Sequence, residues 1–87
     1  MTDRLTDELR RRIAEQDRVI LAAVNARLRA VAELKTHKAR SGVEFVDPEQ
    51  EERLLQALID ENGGPLSPAG VRGLFETILA LAKRELA

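Results

Sequence analysis

Residues 2–40, TDRLTDELRRRIAEQDRVILAAVNARLRAVAELKTHKAR, decide the fold. The stretch holds no proline and no glycine, and Leu, Ala, Arg and Glu, all strong helix formers, dominate it. It reads as one long helix starting at Thr2 or Thr6 and running to about Arg40. Ser41-Gly42 ends it: Lys38 and Arg40 fall in the last turn, where cations suit the helix dipole, and Gly42 supplies the left-handed residue that closes many helices. At 1.5 Å per residue such a helix extends roughly 50 to 57 Å, longer than a compact chain of this size is wide. It cannot bury its own apolar stripe alone.

Outward from that stretch, the remaining sequence starts and stops twice more. Asp47-Pro48 opens a second helix, with Asp47 as N-cap, Pro48 at the first helical position and Gln50 placed for a capping box. Glu51, Glu52, Leu54, Leu55, Leu58 and Ile59 continue it, and Asn62-Gly63-Gly64-Pro65 stops it. Ser67-Pro68 repeats the start signal, and Val71, Leu74, Phe75, Ile78, Leu79 and Ala82 form a helical stripe towards the C-terminus. No segment alternates as a strand would, and there is no internal repeat or low-complexity tract. The expected fold is all-α, three helices in the order long, short, long, in one domain over residues 1–87; a chain of 87 residues is too short for two independent cores.

Composition removes several functions. Cysteine is absent and His37 is the single histidine, which excludes disulfide frameworks, thiolate chemistry and any metal site built on such ligands; no cofactor is expected. Phe45 and Phe75 are the only aromatic residues, so the stacking platforms of single-stranded nucleic-acid binders are missing. The 14 basic and 15 acidic groups give a net charge of −1, placed as +4 over residues 1–40, −6 over 41–62 and +1 over 63–87, which argues against a polyanion binder. The longest apolar stretch, Val19 to Val24, falls well short of the roughly 20 residues that cross a bilayer. A cytoplasmic protein without nucleic-acid or membrane partners is expected.

The chemistry lies in charges at apolar positions. At about 100° per residue, Ile13, Ile20, Val24, Val31 and Lys35 cluster along one line of the first helix, and Arg27 and Lys38 fall on that line about 16 Å apart. Asp17 shares it and Arg10 lies at its edge. In the second helix Glu51 shares the face of Leu54, Leu55 and Leu58. An unpaired buried charge costs several kcal/mol, so such groups require counter-charges or a ligand. Two readings are open: an interhelical Arg27–Asp17 ion pair in a bundle with Lys38 reaching to solvent, or a polar pocket inside an aliphatic bundle, suited to a small multiply anionic ligand that carries a hydroxyl. No nucleophile-and-base arrangement is visible; His37 reads as a solvated residue of the last turn and Gly63-Gly64 as a turn.

Leu9-Arg10-Arg11-Arg12-Ile13 with Asp17, then Arg27, Lys38-Ala39-Arg40, and Asp47-Pro48 with Glu51, followed by Leu74-Phe75, resemble the all-α chorismate mutases over nearly the whole chain. The resemblance implies an intertwined homodimer in which two long helices pair and each site takes one arginine from the other chain. It implies isomerisation of chorismate to prephenate, an intramolecular Claisen rearrangement on the route to Phe and Tyr. Carried over by position, Arg10 of a second copy and Arg27 grip the two carboxylates, and Lys38 donates to the ether oxygen and a carboxylate. Asp47, through backbone and hydroxyl contacts, and Glu51, accepting from the ring hydroxyl, complete the orientation.

The chain departs from the family pattern at three places: Gln50 where an arginine usually precedes the glutamate, Ala82 where many members carry a small hydroxyl residue, and Leu86 where they carry a glutamine. Gln50 itself and Lys83 are alternative donors. Some members are weak alone and gain activity bound to the first enzyme of the shikimate pathway, which makes that enzyme a candidate partner. Others act on isochorismate or 4-amino-4-deoxychorismate. A noncatalytic helical dimer, resting on Gln50, Ala82 and Leu86, is the alternative to an isomerase resting on Arg10, Arg27, Lys38 and Glu51.

Overall fold

The computed structural model describes residues 3–42 and 47–87. The first helix, α1, spans Arg4–Ser41. Its N-cap is Asp3, between the two expected threonines, and Asp3 Oδ1 accepts from the Thr6 N–H at 2.7 Å. That backbone hydrogen bond holds the Asp3 carboxyl below the usual carboxylate range. Thr2, the other expected start, lies outside the described residues. At the far end Gly42 takes φ 72° and donates its N–H to the Lys38 carbonyl, the left-handed closure expected of it.

The second helix, α2, spans Pro48–Glu61, and the third, α3, Pro68–Glu85. Asp47 Oδ1 accepts from the Gln50 N–H at 3.2 Å, and Ser67 Oγ accepts from the Gly70 N–H at 3.0 Å. Only half of the expected capping box is present. Gln50 Oε1 turns forward and accepts from Arg53 Nε at 3.3 Å and Nη2 at 2.9 Å, because a charged donor one turn along is a stronger partner than the cap's backbone N–H. No described residue lies in a strand.

Residues 62–67 join α2 to α3, and the two helices pack together around Leu55 and Val71, with Ala82 buried further along α3. Arg72 ties them at the surface, reaching Glu52 at 2.8 Å and Glu76, on its own helix, at 3.7 Å. The Lys35 ammonium donates to the Leu86 carbonyl and fixes the end of α3 against α1.

The stripe along α1 is not buried by one chain, as its length implies: Val24, Val31 and Lys35 are half-buried, and the N-terminal part of the stripe stands bare. No α1 residue is buried; Ile13 is 61% exposed, Ile20 59% and Leu9 41%. Asp17 is exposed as well, as is Leu74 on α3. The reason is length: the 18 residues of α3 extend about 27 Å, half the reach of the 38-residue α1. The chain measures 60 × 24 × 17 Å with a radius of gyration of 16.9 Å, against about 12 Å for a compact globule of this size. No helix among the described residues is long and apolar enough to cross a membrane.

Candidate functional site

A pocket of about 220 Å³ opens where the C-terminal part of α1, the start of α2 and the end of α3 meet. Each helix reaches it for a local reason. In α1, Arg27 and Lys38 are three turns apart on one line and both face the pocket, with Val31 and Leu34 between them. The Asp47 cap and Pro48 fix where α2 begins, which brings Asp47, Gln50 and Glu51 to the rim, with Leu54 one turn deeper. From α3 come Leu79, Ala82 and Lys83. The walls are aliphatic and the polar groups sit at the ends, so a bound ion is partly shielded from water and feels the fixed charges more strongly than on an open surface.

Five of the six residues singled out from the sequence, Arg27, Lys38, Asp47, Gln50 and Glu51, therefore line one cavity. The sixth, Arg10, does not. It is exposed on the N-terminal half of α1, 17 positions and about 25 Å along the helix from Arg27. Asp17 is absent from the cavity as well; it lies with Leu9, Ile13 and Pro65 along a shallow depression beside the bare stripe. Within the chain no Arg27–Asp17 ion pair is found among the described residues: both stand on α1, 10 positions and about 15 Å apart, so a pair between them has to join two different helices.

Lys83 is the residue that sequence reasoning named as an alternative donor without placing it. Its ammonium lies 2.9 Å from Glu51 Oε1 and 3.1 Å from Oε2, so it straddles the carboxylate. The signal was present in the spacing: Lys83 stands one turn after Leu79, on the same α3 line that supplies the pocket wall. Ala82, the other α3 position of interest, is buried in the wall and offers no donor. Leu86 does not line the pocket; its carbonyl accepts from Lys35.

His37 is exposed on a separate shallow groove with Thr36 and Arg40. Among the described residues no group of His, Cys, Asp or Glu is placed to hold a metal ion.

Three cations and two carboxylates around a small aliphatic-walled cavity define an all-helical protein with a site for a compact anion that also presents polar groups. The chain belongs to the chorismate mutase type II family, which matches residues 9–85. Among solved structures it is similar to a chorismate mutase from Thermus thermophilus (form I), with 31% identity over 88% of this chain and 96% of that one and a TM-score of 0.86. Form II of the enzyme from the same organism gives 30% identity over 91% of this chain and 90% of that one, with a TM-score of 0.88. No curated protein matches the chain.

Proposed function

We propose that this pocket isomerises chorismate to prephenate, with the site completed by a second copy of the chain. The observation that carries the reading is the placement of Arg27 and Lys38 on one line of α1 opposite Glu51 at the start of α2, inside one cavity. The reaction breaks one C–O bond and forms one C–C bond within a single molecule, with no atom or electron gained or lost, so no nucleophile or cofactor is needed. What accelerates it is confinement of the dianion in a compact shape, together with positive charge where the ether oxygen gains electron density.

In that reading Arg27 binds a carboxylate, Lys38 reaches the ether oxygen and a carboxylate, and Glu51 accepts from the ring hydroxyl. Asp47 holds the start of α2 in place, and Gln50, its carbonyl oxygen engaged by Arg53, keeps its amide N–H groups available as donors. Arg10 of a second copy supplies the second carboxylate grip. The bare stripe of Leu9, Ile13 and Ile20 supports the pairing, because it runs on from the line of Arg27 and Lys38 and leaves these apolar side chains exposed side by side along one helix. In this reading the working unit is a homodimer of this domain, acting in the cytoplasm.

The test is loss of chorismate absorbance with purified protein, checked by acid conversion of the product to phenylpyruvate. Turnover is expected, with kcat reduced about 10² to 10³-fold in Lys38→Ala, as for loss of one preorganised donor. Slow turnover that rises on adding the first enzyme of the shikimate pathway would identify that enzyme as an activating partner. Silence with and without it, and with isochorismate and 4-amino-4-deoxychorismate, would leave a noncatalytic dimer.

A further inference from the structure

The part of the pocket built by one chain has a charge balance that α3 shifts. Arg27 and Lys38 are offset by Asp47 and Glu51, so α1 and α2 together give a cavity of formal net charge zero, a poor receptor for a dianion. Lys83 brings the total to +1. It does so at one place: its ammonium spans both oxygens of Glu51, at 2.9 and 3.1 Å, and the Glu51 side chain is only 27% exposed. Without the ammonium, the half-buried Glu51 carboxylate would lose the cation that contacts it directly, in a cavity that has to admit two more carboxylates.

We propose that Lys83 is a positioning residue of this site: it turns the Glu51 carboxylate to one orientation and cancels its charge, so that Arg27 and Lys38 act on the bound dianion. The inference rests on the function proposed above and deepens it. Glu51 retains a lone pair for a hydroxyl donor, since each carboxylate oxygen accepts more than one hydrogen bond. Lys83 is thereby the contribution of α3 to a site in which that helix otherwise presents only Leu79 and Ala82. Because the lysine is tethered to Glu51, its effect falls on how tightly the anion is held, and therefore on KM, more than on the bond-breaking step.

The experiment compares the full-length protein with Lys83→Gln, Lys83→Arg, Glu51→Gln and the double variant Glu51→Gln/Lys83→Gln, reading chorismate KM and kcat and the dissociation constant of a bicyclic dicarboxylate mimic of the transition state. Circular dichroism and melting temperature report on folding. Lys83→Gln is expected to weaken mimic binding and raise KM roughly tenfold, the scale of one charged hydrogen bond, with a smaller change in kcat. Lys83→Arg is expected to restore binding close to that of the unmodified protein. Glu51→Gln is expected to be less harmful in the Lys83→Gln background than alone, because there it removes a carboxylate that has lost its ammonium. The inference is overturned if Lys83→Gln binds the mimic as the unmodified protein does, if Lys83→Arg fails to rescue it, or if the two substitutions are additive. A lower melting temperature with unchanged binding would make the Lys83–Glu51 pair a structural tie only. An unmodified protein that neither turns over chorismate nor binds the mimic would remove the function itself, an outcome distinct from an active protein indifferent to Lys83.

Discussion

Ile20 lies 59% exposed on the line of α1 that runs from Ile13 to Arg27, in the middle of the bare stripe. Fully burying an isoleucine side chain is worth roughly 1.5 to 3 kcal/mol, so covering what remains exposed contributes about 1 to 2 kcal/mol per copy. In a two-fold symmetric dimer each position counts twice, which makes about 2 to 4 kcal/mol, or a dissociation constant raised roughly 30- to 700-fold when that burial is lost. Ile20→Asp adds the desolvation of an unpaired carboxylate, so these factors are a lower bound. The assay is sedimentation velocity over a range of micromolar concentrations, with turnover measured on the same samples and circular dichroism to check that the helices persist. The substituted chain is expected to sediment as a monomer and to lose activity with the dimer, since Arg10 then cannot reach the pocket of another copy. An Ile20→Asp protein with unchanged mass and turnover would refute the reasoning. So would an unmodified protein that is fully active as a monomer.

Two further outcomes test the site and the packing. Arg27→Ala is expected to weaken binding of the dicarboxylate mimic by about 10²-fold or more while leaving the melting temperature nearly unchanged, because Arg27 faces the cavity and not a carboxylate of its own helix; a fall of several degrees with binding intact would make it a structural residue. Glu52, whose carboxyl is held below its ordinary value of 4.5 by the hydrogen bond from Arg72, contributes stability that is present above that value and is lost as pH falls through the lower folded value. Melting temperature followed from about pH 6 to 3 should therefore drop less steeply in Glu52→Gln than in the unmodified chain, and added salt should shrink the difference.

The helices themselves were legible because their signals are local. Asp47-Pro48 and Ser67-Pro68 cap where they stand in sequence, and Gly42 closes α1 with the positive φ that glycine alone adopts without strain. The start of α1 was harder to read: Asp3, Thr2 and Thr6 are all competent caps, and the choice depended on which side chain reached an open N–H. The role of Gln50 was legible only in part, because the capping box competes with Arg53 and sequence spacing does not rank the two partners.

For the site, angular position along a helix carries the same kind of information. Arg27 and Lys38 could be placed on one line of α1, and Glu51 on the inner face of α2, from the 3.6-residue period alone. The period also showed that α1 carries an apolar stripe too long to be self-sufficient. It could not show which part of that stripe α2 and α3 leave bare, because that depends on how far two shorter helices reach along a longer one.

The sequence by itself thus determined the all-α class, the closure of α1, the starts of α2 and α3 and the facing of the charged residues, all of which follow from interactions within four or five positions of the chain. Only the tertiary structure decided that Lys83 of α3 meets Glu51 of α2, and that both share a cavity with Arg27 and Lys38. Those residues are brought together by the packing of helices, and a packing distance depends on the volumes and angles of many side chains at once, which no local period records.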